Sequence, residues 1–487
     1  MTEAQTAERR KWWALILLAT AQFMVVVDAS IFNVALPSIG RDLRIEQDNL
    51  SWLVNAYVLT FGGFLLLGGR MADLLGRRNI FMAGLVLFAL ASLVGGLSES
   101  EGQLIVARAV QGLGAALMSP AALSIVTTTF KEGAERNKAL GVWGAVAGSG
   151  GAAGVLLGGV LTEYLGWEWV LFVNVPIGLG AAALALVLIV ESRVESGTRA
   201  FDIAGALTVT AGLALLVYAL VDANDAGWGS TQTLGLLALA AALLAAFVAI
   251  ELRSAQPLVP FGIFRSRTLT GANVTGLFVG AGLFSMFFFL SLYMQQVLGW
   301  DALKSGVAYL PLALAIIVSA GVASQLVTRI GFKPVLMGGL VLVTAGLVWL
   351  TQISVDGTFL GDILGPSLLA GFGLGFAFVP LTIAAVAGIS DDDSGLASGL
   401  INTAQQIGGA LGLAILATVA NAQRDDVLQA AQGAREAVPA ALTEGFQSAF
   451  LVGAGMVLLG LLATAVFIRS QDSRALVGAD ASAVPVA

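Results

Sequence analysis

Gly68-Gly69-Arg70-Met71-Ala72-Asp73-Leu74-Leu75-Gly76-Arg77-Arg78 reads as a basic, glycine-punctuated loop set between two long apolar runs. Its arginines mark the side of a membrane that it faces. Gly69 and Gly76 permit tight turns. A carboxylate such as Asp73 is favoured near the N-terminus of a neighbouring helix by the helix dipole. Arg77 and Arg78 read either as topology anchors or as partners of acids and helix ends across an inter-helix latch.

The flanking runs, 51–70 and 79–98, have the length of roughly 20 apolar residues that spans a bilayer. The same window recurs along the chain at 12–36, 104–127, 138–162, 169–191, 202–221, 233–251, 269–297, 305–327, 334–353, 360–388, 395–420 and 446–468. About fourteen membrane helices are therefore expected. Only 11% of the 487 residues are charged and 57% are hydrophobic, whereas a soluble chain carries about 25% charged residues. No charged segment is long enough to fold as a second, soluble domain, and the net charge of −7 is scattered over loops. The fold class is an all-α polytopic membrane protein.

The absence of cysteine excludes disulfides and thiol chemistry. The absence of histidine removes imidazole as base, proton shuttle or metal ligand. An enzyme would have little to work with, and no appended domain suggests a receptor. No metal, cofactor or nucleic acid is implied.

With the N-terminus inside, eighteen lysines and arginines fall on the inner side, against five outside (Arg41, Arg44, Lys304, Arg424 and Arg435). Positive charge collects on the cytoplasmic face, so both termini are expected there, with Met1–Lys11 a polar end without a cleavable signal. The inner segment Asp391-Asp392-Asp393 has no basic residue, but acids weigh little in this rule. A weaker copy of the opening motif, Arg329-Ile330-Gly331-Phe332-Lys333-Pro334, follows helix 10 and implies repeated halves. The division expected is a six-helix bundle over 1–191, a linker with two inserted helices over 192–267, a second bundle over 268–468 and a tail over 469–487.

Charge inside a membrane is costly and points to function. Asp28 in helix 1 and Arg108 in helix 4 are the two clear cases, roughly 13 Å and 6 Å from the outer ends of their expected helices. Desolvation pushes a buried carboxylate toward neutrality and a nearby arginine pushes it toward ionisation, so proton binding can be balanced there. The reading is proton or cation coupling; the alternative is a static ion pair. Each proton moved inward yields about 2.3 kcal/mol per 100 mV. One membrane carboxylate implies one proton per cycle and a neutral or monovalent cationic substrate.

Helix 5 repeats glycine at Gly144 and Gly148 and again at Gly150, Gly154 and Gly158, followed by Gly159. Small residues at this spacing bring helices together, as plain packing or as a seam on which the halves pivot. Phe284, Phe287, Phe288, Phe289 and Tyr293 form an aromatic run that either lines a drug cavity or faces lipid. Asn33, Gln111, Asn174, Gln405 and Gln406 either contact substrate or bond between helices.

Together these segments resemble the major facilitator superfamily, and within it the fourteen-helix drug:proton antiporters. Gly69–Arg78 looks like the family's cytoplasmic signature between helices 2 and 3. Arg108 with Gln111-Gly112 looks like its helix 4 signature, to which proton transfer is attributed. Asp28–Pro37 looks like the helix 1 signature of the fourteen-helix branch, and Gly144–Gly159 like the antiporter signature of helix 5. Asn174-Val175-Pro176 in helix 6 fits as well. One departure is Val155, where that signature usually has proline, which breaks helix hydrogen bonding. The resemblance implies a monomeric plasma-membrane exporter of lipophilic drugs or antibiotics, driven by protons without a cofactor and surrounded by lipid. Export of an endogenous lipid, siderophore or self-made metabolite is the alternative.

Overall fold

The computed structural model describes residues 3–45, 47–193, 202–254 and 257–475. The regular elements among them are helical, and fourteen helices are long and apolar enough to cross a membrane, as expected. In chain order they are α1 (Glu3–Asp42), α2 (Gln47–Leu75), α3 (Arg77–Gly96), α4 (Glu101–Thr129), α5 (Ala134–Tyr164) and α6 (Asn174–Leu188), which completes a span that begins at Trp169 in the short helical turn before it. The pair α7 (Ile203–Ala226) and α8 (Thr231–Glu251) follows. Then come α9 (Arg267–Leu292), α10 (Leu310–Ile330), α11 (Phe332–Leu350), α12 (Leu364–Val386), α13 (Ser394–Ala430) and α14 (Val438–Phe467). Part of the expected linker (194–201, 255 and 256) and the tail residues 476–487 lie outside the described residues.

Two boundaries move the charged residues deeper than expected. α1 continues through Pro37 to Asp42, because Arg41 holds the added turn by donating to the Pro37 carbonyl at 3.2 Å and to Ser38 Oγ at 3.2 Å. Asp28 therefore lies roughly 21 Å from the end of its helix rather than 13 Å. α4 begins at Glu101, which puts Arg108 roughly 10 Å inside.

The packing repeats. In the first six helices α4 lies against both α2 and α3, α1 runs along α5, and α3 takes α6. In the last six, α12 lies against α10 and α11, α9 runs along α13, and α11 takes α14. The halves meet along two seams, α2 on α13 and α5 on α10. α7 and α8 pair with each other, and α7 rests on both α2 and α13. Lipid gives no hydrophobic drive between helices, so association relies on small residues and close approach.

The repeat reaches single residues. α2 passes to α3 through Gly76 alone (φ 110°), and α10 to α11 through Gly331 alone (φ 84°). Positive φ is the conformation that glycine adopts without steric cost. Each following helix has its free N-terminal N–H groups satisfied from the end of its half. The Glu191 carboxylate accepts from Arg78 N (3.2 Å) and Asn79 N (3.1 Å), and Ser473 Oγ accepts from Lys333 N (2.8 Å). The Arg78 guanidinium reaches the Ile189 carbonyl, as the Lys333 ammonium reaches that of Ile468.

Candidate functional site

Asp28 and Arg108 meet. Arg108 Nη1 lies 2.7 Å from Asp28 Oδ2, and both side chains are about 1% exposed or less. The carboxylate also accepts from Gln111 Nε2 (2.7 Å) and Asn174 Nδ2 (2.8 Å), both on Oδ1. Gln111 Oε1 accepts from Arg108 at 2.6 Å, and its amide nitrogen also donates to Ser92 Oγ. Arg108 Nε donates to the Leu53 carbonyl at 3.2 Å. The guanidinium lies over the rings of Phe32 and Tyr57, 4.1 and 4.3 Å from their centroids. α1, α2, α3, α4 and α6 therefore converge on one neutral cluster. Such a pair is costly to desolvate, and tolerable only when its remaining hydrogen-bonding capacity is filled.

The three donors on Asp28 all fit an ionised carboxylate. A protonated Asp28 would turn one oxygen into a donor facing N–H groups. Arg108 and Gln111 face Asp28 together because residues three apart lie on one helix face. Gln111 and Asn174, expected either at substrate or between helices, are buried in this cluster. Ser92, Phe32 and Tyr57 joined it unannounced, being uncharged residues in apolar runs. The Tyr57 hydroxyl is buried without a partner.

The opening motif is not a loop. α2 runs on through Asp73 to Leu75, and Gly69 is helical. Gly69 serves close approach rather than a turn: a Cβ there would overlap the Gly395 carbonyl. Asp73, fully buried, crosses the seam. Gly395 N and Leu396 N donate to its two carboxylate oxygens, each at 3.1 Å, at the start of α13. Free N–H groups and the dipole make a helix N-terminus a seat for such a carboxylate. A Cβ on Gly395 would stand 2.6 Å from both oxygens. Arg77 braces Asp73 from its own half, through Nη2 at 3.0 Å and Nε at 3.2 Å, and also reaches Ser192 Oγ. Beside it, Ser124 and Ser394 hydroxyls pair across the seam at 2.7 Å.

The glycines of α5 divide into two sets. Gly150, Gly154 and Gly158 press on α1, against Val26, Ser30 and Ile31, inside the first half. Gly144 and Gly148 face the second half, where a Cβ would come within 2.8 Å of Val379 and 2.6 Å of Ile316. Gly159 is buried in the same helix. Only the second set lines a seam between halves, so the stripe is not one continuous pivot. α5 continues unbroken through Val155.

The expected cavity residues scatter. Tyr293 is fully buried, its hydroxyl donating to the Ser354 carbonyl at 2.7 Å, which makes it packing. Phe284 is 41% exposed beside Gly409, and Phe287 stacks on Tyr309. Asn33 is exposed and donates to the Ala29 carbonyl, while Gln405 is half-buried on α13.

Fourteen spanning helices in two repeated sixes, with an ion pair buried in one of them, define a polytopic membrane carrier. The Major Facilitator Superfamily profile matches residues 18–413, and the chain belongs to that family. Similar proteins include the puromycin resistance protein of Streptomyces alboniger, 38% identical over 99% of this chain and 96% of that one. The cephamycin export protein of Amycolatopsis lactamdurans is 42% identical over 83% and 84%. A multidrug transporter of Bacillus subtilis is 33% identical over 84% and 75%. Among solved structures, the human organic anion transporter MFSD10 covers 95% of this chain and all of its own, with TM-score 0.60 and 16% identity, which concerns the fold alone. The protein is a multi-pass membrane transporter and not an enzyme.

Proposed function

We propose that this chain exports antibiotics or other lipophilic drugs across the plasma membrane in exchange for protons. The observation that carries the proposal is the buried Asp28–Arg108 pair with its two amide partners. Facing out, Asp28 takes a proton and releases Arg108, Gln111 and Asn174 from their shared carboxylate. Facing in, substrate binding and proton loss to the cytoplasm restore the cluster. The two halves rock between these forms, and Asp73, braced by Arg77, holds the cytoplasmic side shut in the outward form. Both termini are cytoplasmic in this scheme, no cofactor enters the cycle, and the monomer is the working unit. Phe284 and Gln405, both at the contact of α9 with α13, offer aromatic and polar surface for the substrate.

The cephamycin export protein supports the direction, and the puromycin resistance protein and the multidrug transporter support the substrate class. The cephamycin export protein is named for a single compound, which favours a second reading in which one compound, such as a self-made metabolite, is the cargo. A substrate panel in proteoliposomes, with pH gradient and membrane potential imposed separately, tests both. Drug accumulation driven by an imposed pH gradient supports proton exchange. Accumulation indifferent to that gradient removes it, and activity toward a single compound alone favours the second reading.

A further inference from the structure

On the face opposite the termini, the outer ends of α13 and α14 and the turn after α11 line an open pocket of about 450 Å³. It lies in the second half, apart from the Asp28 cluster, and has one ionisable residue in its wall, Glu444. What the wall offers a ligand follows from where its donors point. The Gln447 amide nitrogen donates to the Ile353 carbonyl at 2.8 Å, and that of Gln423 to Glu444 Oε2 at 3.4 Å. The Thr443 hydroxyl donates to Pro439 O, and that of Ser354 to Asp362 Oδ1. One N–H of each amide and both hydroxyls are thus committed away from the opening, and each amide keeps its second N–H. Beside those two N–H groups the wall presents the Glu444 carboxylate, its one charge, with two amide carbonyl oxygens and hydroxyl lone pairs, so acceptors outnumber donors, and Ser448 can turn either way.

A negatively charged, acceptor-rich wall selects a ligand that brings N–H donors and positive charge, and a charge-assisted hydrogen bond is about twice as strong as a neutral one. We propose that this cavity is a binding site for a primary ammonium group, with Glu444 as its counter-charge. An ammonium has three donors and no acceptor, which matches the wall. The group can come from a soluble amine or from the headgroup of an aminophospholipid at the membrane surface.

The chain has no cysteine, so Ala440→Cys in the full-length protein carries a single environment-sensitive fluorophore at the cavity wall. In phosphatidylcholine nanodiscs, ethanolamine and putrescine should change its emission saturably, and ethylene glycol should not. Glu444→Gln should weaken the response about tenfold or more, as loss of a hydrogen bond to a charged group does. Ser448→Asp, which adds a second acceptor charge, should tighten it by a similar factor. That gain cannot arise from misfolding. Phosphatidylethanolamine nanodiscs separate the sources. If the lipid headgroup is the ligand, soluble amines lose their effect there; if it is a free amine, their effect persists. An equal response to glycol and amine, or amine binding unaltered by Glu444→Gln and Ser448→Asp, would overturn the proposal, as would no response in any nanodisc.

Discussion

Asp73 and Thr328 occupy the same position in the two halves, each three residues before the single glycine that joins the second and third helices. Both reach across a seam to the beginning of the partner half's fifth helix. Asp73 takes two backbone N–H groups at the start of α13, whereas Thr328 Oγ1 accepts one bond from Asn137 Nδ2 in the first turn of α5, at 3.2 Å. The charged contact is replaced by a neutral one, so the two seams are not closed with equal strength.

Removing the stronger contact should open that face. Asp73→Ala loses two hydrogen bonds to a charged group, and a net cost of about 2 kcal/mol corresponds to a roughly 30-fold shift between closed and open forms. Alkylation of a cysteine at Ser398, which is fully buried near this contact, should speed up by that order. Thr328→Ala should produce a much smaller change at the other seam.

Asp28→Asn leaves Arg108 buried without its counter-charge, and breaking such a pair costs about 3–5 kcal/mol. Proton-driven export should be lost and the melting temperature should fall. Arg108→Gln added to Asp28→Asn removes the stranded charge, so stability should recover in part while transport does not. Recovery of pH-driven transport in the double variant would falsify the coupling role.

The two glycine sets of α5 should respond differently. Gly154→Ala puts a methyl onto Ser30 and the Val27 carbonyl inside one half, and overpacking of this kind costs about 1–3 kcal/mol. Thermal stability should drop with little change in conformational preference. Gly148→Ala meets Ile316 of the other half, so crosslinking between α5 and α10 should weaken while the melting temperature holds.

One proton exchanged for a monovalent cation moves no net charge, whereas a neutral substrate adds about 2.3 kcal/mol per 100 mV to the drive. Cation export should ignore an imposed membrane potential, and export of a neutral compound should follow it. Efficient extrusion of a dication against the potential would contradict a single titrating carboxylate.

Asp28 and Arg108 were legible because a charge in an apolar run has no inexpensive explanation. Their mutual contact was legible only as an option, since helix ends set the depth and the sequence placed both ends short. Asn174 and Ser92 carry no such mark: an uncharged polar side chain in a membrane helix has many partners open to it. The opening motif misled in shape though not in place. Glycine, aspartate and arginine in close succession read as a loop, yet Met71-Ala72-Asp73-Leu74-Leu75 contains good helix formers, and one residue at positive φ is enough to turn the chain. The stripe in α5 was legible as close packing, but which glycine faces which half depends on helix rotation about its axis. Repeat symmetry was legible from Arg329–Lys333, and the paired end-caps, Glu191 and Ser473, were not, because they come from the far end of each half.

α2 touches Arg108 through the Leu53 carbonyl and holds α13 through Asp73. Those residues are separated by roughly 30 Å of unbroken helix at 1.5 Å per residue. A stiff rod pinned near one end multiplies small displacements at the other. A tilt of about 5° about the Arg108 end would carry Asp73 sideways by roughly 2.6 Å, enough to break hydrogen bonds of this length. The gearing between proton and gate would then be set by the length of one helix.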